Sequence, residues 1–385
     1  VRTLVVAGAR PNFIKVAPIL AELRRCDLEV FLVHTGQHYD AEMSDAFFSD
    51  LAIPAPDFHL GVGGGSHAQQ TARIMEKFEP VLVATQPDWL VLVGDVNSTL
   101  ACALVAAKLK WDLNCRIAHV EAGLRSGDWR MPEEVNRVLT DRLSDLLLTH
   151  SPEALHNLIQ EGIEPDRVRF VGNVMIDAVF GQLSRARESD LHSRLGLQHG
   201  RYAAVTVHRP SNVDEPGSLR RVLKSLRAVA TVVPVVFPMH PRTRARIAAE
   251  NLEDLLNGLH IIEPLGYLDM LALTDGAAVV ITDSGGLQEE ATALGVPCVT
   301  LREQTERPIT LTVGTNRLAA FPLVPEMVRT TVQVAIAEGR SSPGFRCPQG
   351  WDGCAAERVV SALQQFGQDP ASVVPARLPR EAMAL

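Results

Sequence analysis

Short apolar runs recur along the chain, and each is followed by a segment of helical character. Leu4–Ala7, residues 29–35, Trp89–Val93 and Arg116–Val120 read as buried strands in the first half. Tyr202–Val207 and residues 232–237, 260–263, 279–283 and 297–301 read the same way in the second. A helix from Pro11 to about Arg25 follows the first strand, with proline where a helix tolerates it best, at its first position. Strand then helix, repeated throughout, predicts an α/β protein built on doubly wound parallel sheets. With 385 residues the chain is too long for one ordinary core and comfortable for two domains. The first sheet is expected to end near Val171-Gly172-Asn173, and the mixed helical stretch 174–200 marks the junction. This gives an N-terminal domain over 1–172 and a second over 173–366, with a final helix at 353–366. A loosely ordered tail, rich in Pro and Ala, is expected over 367–385. Residues 54–66, with glycines at 63, 64 and 65, read as one long loop.

The pattern is sharpest at Val279-Val280-Ile281-Thr282-Asp283-Ser284-Gly285-Gly286-Leu287. A β-branched run stops at Asp283, and a helix starts after Ser284, Gly285 and Gly286. The glycines admit a ligand to the backbone, and the unpaired N–H groups of the helix start suit an anion such as a diphosphate. Glu290, nearly two turns further on, is placed to meet neutral hydroxyls such as those of a ribose. Gly-rich turns are also common punctuation, so this stretch favours a ligand only slightly.

In the first half, polar groups fall at the C-terminal ends of strands, where open α/β sheets bind ligands. Arg10 and Lys15 follow the first strand, Asp95 the third, and Glu121 the fourth. Each has an ordinary explanation: a surface cation for Lys15, a helix N-cap for Asp95. Glu133 sits in the first turn of a helix, spaced to pair with Arg137 at i, i+4. An acid leaving a buried strand into the glycine turn Glu121-Ala122-Gly123 is harder to explain by capping. Arg10, Asp95 and Glu121 face one crevice if the sheet is parallel. Carboxylates near a phosphate-binding cation suit proton abstraction and donation on a sugar. In the second half His208 also falls at a strand end.

Composition narrows the classes. Net charge is −8 with no basic block, which argues against a nucleic-acid partner. The six cysteines show no zinc-like spacing, and free thiols in a reducing cytoplasm are expected. No apolar run reaches membrane-spanning length, and the N-terminus reads directly as a strand rather than as a signal peptide.

An ordered string of motifs carries a resemblance. Gly8-Ala9-Arg10-Pro11 with Lys15, Thr35-Gly36-Gln37-His38, Gly94-Asp95, His119-Val120-Glu121-Ala122-Gly123-Leu124-Arg125 and Pro132-Glu133-Glu134 with Asn136-Arg137 form its first part. Gly172-Asn173, His208-Arg209, Thr282-Asp283-Ser284-Gly285-Gly286 with Gln288-Glu289-Glu290, and Thr305-Glu306-Arg307-Pro308 complete it. Together they resemble the non-hydrolysing UDP-N-acetylglucosamine 2-epimerases, over nearly the whole chain to about residue 365.

The resemblance implies two doubly wound, Rossmann-like domains facing across a cleft, the fold of GT-B type glycosyltransferases. It implies a homodimer that needs neither metal nor other cofactor and converts UDP-N-acetylglucosamine reversibly to UDP-N-acetylmannosamine, a precursor of cell-envelope polysaccharide. Matched residue by residue, Asp95, Glu121 and Glu133 take the catalytic acid positions, with His208 and Arg137 in support. Arg10, Lys15, Ser284, Gly285, Gly286, Glu290 and Arg307 match positions that bind UDP. Val96, Tyr39-Asp40, Pro210-Ser211 and Met270 depart from the common pattern. Of the positions associated with a second, activating UDP-N-acetylglucosamine, Gln37, Arg73 and Arg209 are present, while Asp40 and Pro210 are changed. Three alternatives compete: a hydrolysing relative that releases UDP, a glycosyltransferase of the same fold, and a silent nucleotide-sugar sensor. The three retained acids disfavour the sensor.

Overall fold

The computed structural model describes residues 1–36, 50–51, 53–215, 217–341 and 346–366, apart from the side chains of Arg10 and Pro11. The chain divides into two compact units, Val1–Ala178 with the segment from Gln349 on, and Val179–Pro348.

The first unit holds a parallel sheet of β1 (Arg2–Ala7), β2 (Glu29–His34), β3 (Phe58–His59), β4 (Trp89–Val93), β5 (Arg116–Val120), β6 (Leu146–Thr149) and β7 (Val168–Phe170). Their order is β3-β2-β1-β4-β5-β6-β7. Val5 is paired with Leu32 on one side and Val91 on the other, so the chain's direction of winding reverses at β1. That reversal opens a crevice at the C-terminal ends of β1 and β4. The continuous apolar runs are explained by burial on both faces. Leu4, Val6, Leu90 and Leu92 form a core cluster with Ile74, Phe78 and Leu82 of the helix His67–Thr85 and with Ala101, Cys102, Ala103, Val105 and Ala106 of the helix Asn97–Leu113. Each large side chain so buried contributes about 1.5–3 kcal/mol.

Two expectations change here. Phe58–His59 pairs with β2 inside the stretch read as loop, because a two-residue strand has too little length to show a period. The final helix, Ala355–Gln365, belongs to the first unit and not to the second domain. It packs on the helix Arg10–Arg25, and its first N–H groups, at Ala355 and Ala356, donate to Asp177 at 3.1 and 2.6 Å. Trp351 Nε1 donates to the His150 carbonyl at 3.1 Å, and Arg358 Nε to that of Val171 at 2.6 Å. At Gly172, with φ +84°, a Cβ would lie 1.9 Å from the Gly350 carbonyl oxygen, so only glycine fits. The return to the first unit rests on contacts across some 180 residues, which no local pattern encodes.

The second unit repeats the architecture with β8 (Ala203–Thr206), β9 (Val235–Pro238), β10 (His260–Ile262), β11 (Val279–Thr282), β12 (Cys298–Thr300) and β13 (Asn316–Leu318). All are parallel, in the order β10-β9-β8-β11-β12-β13, and the winding reverses between β8 and β11. Val205, Phe237, Ile281 and Val299 form its core with Leu219, Val222 and Leu226 of the helix Ser218–Ala230. Among the described residues no helix is long and apolar enough to cross a membrane.

Candidate functional site

In the first unit Asp95 and Glu121 follow the neighbouring strands β4 and β5, while Glu133 lies in the first turn of the helix Pro132–Leu143. The turn after β1 is fixed by Asn12, whose Oδ1 accepts from Ala9 N at 3.1 Å while its Nδ2 donates to the Val93 carbonyl at 2.8 Å. That amide ties the end of β1 to the end of β4. Lys15, one turn further along the same helix, forms an ion pair with Glu121 at the end of β5. Glu121 is 8% exposed and takes φ +70°, a left-handed conformation that costs a non-glycine residue energy. Gly94, at φ +69°, gives the pair its room: a Cβ there would lie 3.3 Å from Asn12 Nδ2, 3.5 Å from Glu121 Oε2 and 3.7 Å from Lys15 Nζ.

Asp95, the next residue, accepts from Arg137 Nη2 at 2.5 Å. Its backbone carbonyl accepts from Asn136 Nδ2 at 2.9 Å. Arg137 pairs with Glu134 at 2.8 Å, an i, i+3 contact, and not with Glu133 as the spacing suggested. Glu134 is occupied structurally: it accepts from Ser126 N at 2.9 Å, Ser126 Oγ at 2.9 Å and Gly127 N at 2.9 Å. Burial pushes the Glu134 carboxyl up, but those donors and Arg137 outweigh it and hold it below the usual range. Glu133 is half-buried at the start of the helix Pro132–Leu143 and has no hydrogen-bond or ion-pair partner among the described residues.

The second unit presents the anticipated helix start. Ser284 caps the helix Gly285–Ala293 by accepting from Leu287 N, and a Cβ at Gly285 would meet nothing within 4 Å. The N–H groups of Gly285 and Gly286 have no acceptor within the helix. Asp283, fully buried, accepts from His208 N at 3.1 Å, Arg209 N at 2.9 Å and Asn212 Nδ2 at 3.1 Å. It thereby sets the loop that carries His208, whose Nδ1 lies 3.3 Å from the same carboxylate. Desolvation holds the His208 ring below its ordinary pKa, aided by Arg209 and His240 and opposed by Asp283. Arg307 is paired with Glu289 at 2.7 Å. Glu290 is 8% exposed, and burial, with Glu289 beside it, pushes its carboxyl up to about 7.

Arg10 opens the helix after β1, but its side chain lies outside the described set. Gln37, Tyr39 and Asp40 lie outside the described residues. Arg73 donates to the Gly64 carbonyl at 2.7 Å, and Pro210 begins the short helix Pro210–Val213. Asn12, Glu134 and Asp283 acquire roles that sequence reasoning did not give them. Asp283 stood in the strand–turn–helix signature, and Glu134 stood one residue from a candidate. No group of three or more His, Cys, Asp or Glu side chains among the described residues is arranged to hold a metal ion.

Residues 21–364 match the family model described as UDP-N-acetylglucosamine 2-epimerase. The UDP-N-acetylglucosamine 2-epimerase of Methanocaldococcus jannaschii is 39% identical over 368 residues, covering 93% of this chain and 98% of that protein. The UDP-2,3-diacetamido-2,3-dideoxy-D-glucuronate 2-epimerase of Pseudomonas aeruginosa is 42% identical over 345 residues, covering 88% and 94%. The crystal structure of the Methanocaldococcus jannaschii enzyme in complex with UDP-GlcNAc and UDP superposes with a TM-score of 0.83 at 38% identity, covering 94% of this chain and 99% of that one.

Proposed function

The chain belongs to the UDP-N-acetylglucosamine 2-epimerase family, and from that premise we propose that it interconverts UDP-N-acetylglucosamine and UDP-N-acetylmannosamine without hydrolysing either. What supports this reading is that Asp95 and Glu121 follow neighbouring strands of the first sheet, β4 and β5, with Glu133 proposed as the third acid from the first turn of the helix Pro132–Leu143. Glu121 is buried against Lys15, Asp95 is held by Arg137, and Glu133 is unpartnered among the described residues.

In the forward step a carboxylate takes the carbon-2 proton. The bond from carbon 1 to the phosphate oxygen breaks, and its electron pair leaves on UDP. The product is 2-acetamidoglucal, with its double bond between carbons 1 and 2. In the return step the UDP oxygen bonds to carbon 1 again, and a carboxylic acid delivers a proton to the other face of carbon 2. A proton on carbon 2 is not acidic, so stabilising the departing UDP carries much of the barrier. In the second unit that role is assigned to the N–H groups at Gly285 and Gly286 with Ser284, Arg307 and His208, and the ribose hydroxyls to Glu290; in the first unit Arg10 and Lys15 are the assigned cations. Lys15 pairs with Glu121. The same reading carries a cytoplasmic homodimer that supplies an amino-sugar nucleotide for cell-envelope polysaccharide.

Proton NMR of the purified protein with UDP-N-acetylglucosamine tests the outcome. Two UDP-sugar epimers reach a constant ratio and persist. Accumulation of free UDP and N-acetylmannosamine would instead identify a hydrolysing enzyme. Identity to the Pseudomonas aeruginosa relative is 42%, against 39% for the Methanocaldococcus jannaschii enzyme, so the diacetamido glucuronate nucleotide is assayed beside it.

A further inference from the structure

We propose that His119 and Asp141, which contact no acid of the proposed mechanism, are positioning residues that jointly set the backbones of Asp95 and Glu121. The proposal rests on the epimerase reading above. His119 lies on β5, fully buried, two residues before Glu121. Its Nε2 lies 2.8 Å from the carbonyl of Gly94, the residue before Asp95, and donates to it. Its Nδ1 lies 2.6 Å from Asp141 Oδ1. The other oxygen, Asp141 Oδ2, accepts from the N–H of Gly123 at 3.0 Å, two residues after Glu121. Arg125 Nη1 also reaches Oδ2, at 2.8 Å, and is itself held by Glu161 at 2.6 and 2.7 Å. One imidazole and one carboxylate thus bridge the turn after β4 and the turn after β5.

Both turns need such a clamp. Gly94 and Glu121 take φ of +69° and +70°, and a left-handed non-glycine residue persists only where its surroundings over-determine it. Glu121 N and Ala122 N donate to the Leu148 carbonyl at 3.0 and 3.2 Å, which fixes one side of the turn. Asp141 fixes the other. Core stability alone is a weak account of these two residue types, because apolar side chains of similar volume often replace buried polar pairs without net loss. The polar pair is explained by what its hydrogen bonds aim.

The test uses Asp141→Asn and His119→Gln in the full-length protein. Turnover is expressed per UDP-binding site counted by calorimetry, and UDP affinity is measured in the same titration. A displacement of about 1 Å at a reacting group costs on the order of 100-fold. Turnover per site is therefore expected to fall at least ~10-fold, with UDP affinity unchanged within about threefold. Turnover per site within about threefold of wild type overturns the proposal. So does a loss of rate matched by a loss of UDP sites, which is what a purely structural pair would give. If Asp141→Asn does not fold, His119→Gln is judged by the same criteria. Failure of the functional reading itself shows differently, as wild-type protein that binds UDP and leaves both epimers unconverted.

Discussion

Glu121→Gln is expected to lower turnover by ~100 to 10,000-fold, the usual range for a general acid–base group, while UDP still binds. The substitution keeps the side chain's shape, and a glutamine oxygen still accepts from Lys15. It removes only the capacity to take and return a proton. Ser284, Gly285 and Gly286 belong to the second unit and are unchanged by the substitution, so UDP is still expected to bind. Steady-state rates and calorimetry check the two halves of this expectation. A variant that retains more than about half the wild-type rate removes Glu121 from the mechanism.

Glu290→Gln separates stability from binding. Burial, with Glu289 nearby, raises the Glu290 carboxyl from its ordinary 4.5 to about 7 in the folded protein. Between those values the folded state holds a proton that the unfolded state has lost, so stability falls as pH rises through this window. Above about 7 both states are ionised and the full cost is present. Glutamine carries no such cost. The variant is therefore expected to be more stable than wild type near pH 8, by on the order of 1–3 kcal/mol. The advantage shrinks as pH falls toward 4.5. UDP affinity should fall in the same variant, because ribose hydroxyls lose a charged acceptor. Thermal unfolding across pH and UDP titration test both parts. Equal stabilities at pH 5 and about 8 would contradict the electrostatic part.

The sheets, and the strand ends on which the candidate residues fall, were legible because their signals are local. A β-branched run that ends in Asp283-Ser284-Gly285-Gly286 encodes strand, turn and helix start within a few residues. Asp95 and Glu121 were legible because parallel strands deliver their C-terminal residues to one edge. Arg137 was paired with the wrong acid because i, i+3 and i, i+4 neighbours are equally close on a helix, and the contacts of the loop at Ser126 and Gly127 decide between them. Asp141 was missed because its partners are 22 and 18 residues away, on another strand end. The last helix was misassigned for the same reason at longer range, since only Asp177, Val171 and the helix Arg10–Arg25 reveal where it docks.

The central claim is that a carboxylate removes the carbon-2 proton while UDP departs and later returns. It is tested most directly by following the reaction in heavy water by NMR from UDP-N-acetylglucosamine. The account predicts that UDP-N-acetylmannosamine forms with deuterium at carbon 2, and that recovered UDP-N-acetylglucosamine acquires the same label. Epimer formation with carbon 2 fully protonated would contradict it.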